Sequence, residues 1–152
     1  MKRDNKFNYM GVDPGQSGAI VVIDNRGCHL GVIRLSEPSK DIANFVASYA
    51  DQIQLCSLEK VSAMPGQGVS STFKFGTSFG FCMGVLTSCS VRYEMVTPSQ
   101  WQTRMKCRTK GDKNVTKELA GRLFPHVDKI THKEADAMLL AEYARRRSLG
   151  IE

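Results

Sequence analysis

The run Ala19-Ile20-Val21-Val22-Ile23 constrains this chain more than any other feature. It is apolar at every position and largely β-branched, which suits a strand. It also lacks the polar alternation of a half-exposed one, so both its faces need cover. Such a strand belongs inside a sheet with helices packed on either side. Turn-forming residues bracket it: Pro14-Gly15-Gln16-Ser17 before, Asp24-Asn25-Arg26-Gly27 after. Residues 8–13, 18–24 and 28–35 are therefore expected to form an antiparallel meander.

Residues 39–50 place Ile42, Phe45, Val46 and Tyr49 at i, i+3, i+4 and i+7, the spacing of an amphipathic helix. A strand is expected over 53–58, then a loop rich in Gly and Pro over 61–71. A helix over 72–90 would carry Phe75, Phe79, Cys82 and Leu86 on one stripe. Gly76, Gly80 and Gly84 repeat on a neighbouring stripe. Each costs about 1 kcal/mol of helix stability relative to Ala, so the repeat suggests close approach of another backbone, either the sheet or a second subunit. Residues 91–96 read as the fifth strand. Thr97-Pro98-Ser99-Gln100 opens a helix, with Thr97 as N-cap and Gln100 positioned to complete a capping box. Further helices are expected over 114–123 and from Thr131 to about 147. This order implies an α/β fold: a five-stranded mixed sheet, meander plus parallel strands, with helices on both faces. No linker or repeat interrupts residues 1–152, so one domain is expected.

Charge is placed unevenly. Of the formal net charge of +6, residues 101–122 hold +5: Arg104, Lys106, Arg108, Lys110, Lys113, Lys117 and Arg122 against Asp112 and Glu118. Concentrated positive charge points to a polyanion, most simply nucleic acid, although a solvated helix face has the same composition. Five cysteines without a C-x-x-C pair argue against a disulfide framework or zinc knuckle. No apolar run follows the N-terminus, and none elsewhere is long enough and uncharged enough to span a membrane. A cytoplasmic protein without a membrane partner is expected.

Asp13 and Glu59 stand at the ends of two apolar strands. If those strands are parallel neighbours, the two carboxylates lie together, and like charges so placed repel unless a cation sits between them. A hard divalent ion such as Mg2+ suits oxygen ligands. Residues on a helix turn by about 100° each, so His132 and Asp136 share a face of the last helix. Lys133 lies within reach of that face. Glu134 fits a capping box with Thr131 better than a metal site. No nucleophile–histidine arrangement or Walker loop competes for the chemistry, and no small-molecule cofactor is expected.

Taken in order, these segments resemble the RuvC-type Holliday-junction resolvases of the RNase H-like superfamily, most of all phage-encoded members. Gly11-Val12-Asp13-Pro14-Gly15-Gln16-Ser17-Gly18-Ala19 is similar to the first metal motif, Leu58-Glu59-Lys60-Val61 to the second and Ala135-Asp136-Ala137 to the last. Ala63-Met64-Pro65-Gly66-Gln67-Gly68-Val69-Ser70-Ser71-Thr72-Phe73 resembles the phage-type loop and helix, and Val96-Thr97-Pro98-Ser99-Gln100-Trp101 the segment after the fifth strand. The resemblance implies homodimers that cut four-way DNA junctions with two divalent metals per subunit, Mg2+ or Mn2+. It implies Asp13, Glu59 and Asp136 as ligands and Lys113 as the active-site lysine. The family's fourth ligand, Asp or His, commonly stands three residues before the last Asp. Lys133 occupies that place here, and His132 is the substitute that helical geometry allows. The family's junction-wedging aromatic has no direct counterpart beside Ser62; Met64 and Phe73 are the nearest candidates. Arg104, Lys106, Arg108, Lys110, Lys113 and Lys117 are expected to contact DNA. A general branched-DNA or flap nuclease and a non-catalytic junction binder remain as alternatives. The N-terminal hairpin is also similar to that of actin-like ATPases, whose two lobes need more than 152 residues.

Overall fold

The computed structural model describes residues 7–60 and 65–151. Its five strands are β1 (Asn8–Val12), β2 (Ala19–Ile23), β3 (His29–Arg34), β4 (Ile53–Glu59) and β5 (Tyr93–Val96), and its helices are α1 (Ser39–Tyr49), α2 (Val69–Ser88), α3 (Pro98–Arg104), α4 (Asn114–Leu123) and α5 (His132–Leu149). The strands form one sheet in the order β3-β2-β1-β4-β5. β1, β2 and β3 are the expected antiparallel meander, while β4 runs parallel to both β1 and β5.

Strand pleating sends alternate residues to opposite faces. Met10, Val12, Ile20 and Val22 pack on one side against Ile42 and Val46 of α1 and Cys82, Val85 and Leu86 of α2. Tyr9, Ala19, Val21 and Ile23 pack on the other, against Ala137, Met138, Ala141 and Ala144 of α5. All five residues of β2 are buried, which explains why its sequence is apolar without alternation. In β4 an irregularity opposite Asn8 and Tyr9 leaves Gln54 unmatched. Ile53, Cys56 and Leu58 consequently face α1 and α2, whereas Leu55 faces α5.

Gly11 sits under α5. A Cβ there would collide with the Ala137 carbonyl and the Ala141 amide, backbone atoms that cannot swing aside. This close approach seats the helix against the sheet centre. Gly76, Gly80 and Gly84, by contrast, lie on an exposed face of α2 with nothing within 4 Å of an added Cβ. The sheet therefore does not approach that stripe. The helix meets the core through Phe79, Cys82 and Leu86 of the expected stripe, while Phe75 stands outside that core, and Ser78 Oγ pins the helix to the β1–β2 turn by donating to the Pro14 carbonyl at 2.6 Å.

Among the described residues no helix is long and apolar enough to cross a membrane. All five cysteines are free; Cys56, Cys82 and Cys107 are buried.

Candidate functional site

Val12 and Leu58 are paired across β1 and β4, so Asp13 and Glu59 follow at the same level of two adjacent parallel strands. Alternation sends Val12 and Leu58 toward α1 and α2, and the next residue of each strand toward α5. Both carboxylates thus emerge at the carboxyl edge of the sheet, where open α/β sheets place their ligands. The first turns of α5 deliver Asp136 to the same place, because α5 rests on Gly11 two residues before Asp13. Though far apart in sequence, these residues lie within electrostatic reach: Asp136 raises the proton affinity of Asp13, and both raise that of Glu59.

Burial is the larger cause. It lifts the Asp13 carboxyl to about 6, with repulsion from Asp136 adding to the shift, and the Gly15 amide (3.3 Å) and the Lys113 ammonium opposing it. The Glu59 carboxyl rises to about 7, again chiefly by desolvation, then by the charge on Asp13, against a hydrogen bond from Trp101. Asp136 is also shifted up by burial, while the Thr116 side chain, Lys113 and His132 favour its charged form. Three partly desolvated carboxylates, two of them repelled by a neighbouring carboxylate, are an arrangement short of positive charge.

Lys113 supplies part of it. It is the residue preceding α4, and with Asp13, Gly15, Ser17, Gly18, Thr116, His132, Lys133 and Asp136 it lines a cavity of about 160 Å3. His132 and Lys133 are exposed at its rim. Glu134 turns away: it accepts from the Thr131 amide at 3.1 Å and hydroxyl at 2.6 Å, and from Arg34 at 3.3 Å, completing the expected capping box. Among the described residues no three His, Cys, Asp or Glu side chains already stand as a ligating cluster. Like-charged groups without a cation between them are expected to hold apart. The donors suit a hard divalent ion: the three half-buried carboxylates offer oxygen donors and are short of compensating charge.

Arg104, Lys106, Arg108, Lys110, Lys113 and Lys117 are all exposed on α3, α4 and the loop between them. Arg108 is tied to Ser99 and Thr103 (both 3.1 Å), and Arg104 reaches the Ile151 carbonyl at 3.4 Å. Phe73 is 74% exposed near the start of α2. Met64 lies outside the described residues. Sequence reasoning missed two neighbours of the carboxylates, Thr116 and Trp101, both buried. Neither spacing nor charge marks them, since each meets its partner only through tertiary packing.

No family model matches the chain, and no curated protein matches it. Solved structures do. A structure of Thermus thermophilus RuvC superposes with a TM-score of 0.64 at 16% sequence identity, over 94% of this chain and 96% of that one. Another, described as T. thermophilus RuvC in complex with Holliday junction substrate, gives 0.63 at 16% identity, over 95% and 96%. Likeness along nearly the full length of both chains establishes the architecture: this chain has a RuvC-like fold, a five-stranded mixed sheet between helices.

Proposed function

We propose that the protein is a metal-dependent, structure-selective DNA endonuclease that resolves four-way junctions as a homodimer. The observation that carries the reading is the convergence of Asp13, Glu59 and Asp136, half-buried and with their carboxyls shifted up, at the carboxyl edge of a RuvC-like sheet. Asp13, Glu59, Asp136 and His132 would hold two divalent cations, Mg2+ or Mn2+. The bound ions would supply Lewis-acid activation of water and charge neutralisation at the leaving oxygen.

The chain's own groups do the rest. Asp13 and Glu59 must shed their protons to bind cations, which their raised pKa values delay to near-neutral pH. Lys113, which lines the cavity with Asp13 and Asp136, would supply positive charge to a phosphate oxygen. A second groove, lined by Gln16, Ser70, Ser71 and Lys74, shares Gly15 and Ser17 with the site and offers the DNA backbone a polar path. The basic surface over residues 101–122 would hold phosphates on the other side. Phe73, exposed near the start of α2, would meet unpaired bases, and Met64 would be a second contact by the sequence resemblance. The 63–73 segment favours the phage-encoded branch of these enzymes, which act in the cytoplasm of the host cell. Symmetry of a dimer would let two sites nick opposing strands.

Asp13→Asn is expected to bind a synthetic four-way junction with unchanged affinity in Ca2+ and to lose Mg2+-dependent nicking by at least about a hundredfold. Undiminished nicking by a rigorously purified variant would sink the proposal. Three-way and flap substrates run in parallel separate a resolvase, which makes paired symmetric cuts, from a general branched-DNA nuclease.

A further inference from the structure

Trp101 is the chain's single tryptophan and is 0% exposed. Its indole N–H donates to Glu59 Oε2 at 2.7 Å. The local structure makes this contact specific. Val96, the last residue of β5, is the register partner of Glu59. Thr97 and Gln100 then form a capping box that starts α3 in a fixed direction. One turn on, Trp101 comes back over the end of β4, packed with Ala135, Leu139 and Leu140 of α5, the residues beside Asp136.

An indole N–H donates and cannot accept. Among the described residues it is the one hydrogen-bond donor to the Glu59 side chain. It therefore holds Oε2 and restrains the plane of the carboxylate, while no donor among the described residues takes Oε1. A buried indole needs some acceptor, and a backbone carbonyl would satisfy that need. The acceptor here is instead one of the three carboxylates of the candidate centre.

We propose that Trp101 is a positioning residue for Glu59, locking that carboxylate in the orientation that binds a divalent cation, and that its emission reports occupancy of the site. The inference rests on the reading of Asp13, Glu59 and Asp136 as ligands. Binding is measured without catalysis, by loss of the free Mn2+ signal in electron paramagnetic resonance, for the intact protein and for Trp101→Phe. The intact protein is also titrated with Mg2+ while tryptophan emission is followed. Outer-sphere partners typically contribute 10–100-fold to metal affinity, so Trp101→Phe should bind Mn2+ about 10-fold more weakly. Emission of the intact protein should change saturably, and Glu59→Gln should abolish that change while still offering the indole an oxygen acceptor. Equal Mn2+ affinity in the two proteins overturns the positioning role and leaves the metal reading standing. Absence of Mn2+ binding to the intact protein overturns the metal reading and this inference with it. Should Trp101→Phe fail to fold, the intact protein decides: emission and the hydrogen-bond-sensitive indole Raman band both indifferent to saturating Mg2+ would refute the proposal.

Discussion

At the scale of single residues the site is defined by misplaced charge. Asp13 and Glu59 have carboxyls raised to about 6 and about 7, against 3.8 and 4.5 for the unperturbed groups. Between those limits the folded, metal-free protein binds more protons than the unfolded chain, so stability falls as pH rises. The loss is absent below the unperturbed values and complete above the folded ones. Thermal unfolding without metal should therefore show the melting temperature of Asp13→Asn gaining on the natural sequence between about pH 5 and about pH 7.5. Saturating Mg2+ should close that gap. Parallel pH curves for the two proteins would contradict the burial that causes the shifts. Glu134 shows the opposite case: Thr131 and Arg34 take up its oxygens, so its nearness to Asp136 in sequence does not make it part of the same chemistry.

At the scale of elements, glycine is the instructive residue. The repeat of Gly76, Gly80 and Gly84 suggested a close backbone, yet that face of α2 is open within the chain. The close approach is at Gly11, a single glycine inside a strand, where α5 lies on the sheet. Glycine in a strand interior often marks such a contact. Gly11→Ala should destabilise the protein by about 1–3 kcal/mol or more, the usual cost of overpacking, and displace Asp136 from Asp13. Urea denaturation would measure the first effect, and Mn2+ affinity the second. A variant as stable as the natural protein would mean that α5 is not held against Gly11. Helix ends were legible where side chains make the caps. Thr97 with Gln100 and Thr131 with Glu134 form the boxes their spacing foretells, and α4 occupies the expected Asn114–Leu123. The start of α2 was not legible. Gly68 caps it through backbone conformation alone, and Val69-Ser70-Ser71 looks like loop chemistry although it is helical.

At the scale of the whole molecule the sheet separates two surfaces. One carries α1 and α2, the other α5 with α4, and the carboxylates open at the sheet's edge on the α5 side. The exposed cations of α3, α4 and their connecting loop extend from that edge. If they bind phosphates, replacing Lys106 and Lys110 together with Gln should lower the slope of log affinity against log salt by about 1.8, near 0.9 for each lost contact. The weakening should be similar for junction and duplex, since phosphate contacts carry no sequence or branch information directly. Anisotropy titrations across a range of salt concentrations would measure it. An unchanged slope would remove these lysines from the DNA interface.

The sequence by itself determined most of the elements and singled out the carboxylates as candidates. Apolar periodicity, turn residues and caps are local signals, and Asp13 and Glu59 stood out because each ends an apolar strand. Only the tertiary structure decided how the site is assembled. The parallel pairing of β1 with β4, the seat of α5 on Gly11, and the contacts of Thr116 with Asp136 and Trp101 with Glu59 join residues remote in sequence. Their partners are chosen by packing and by the need of buried polar groups for one another, which no local pattern encodes.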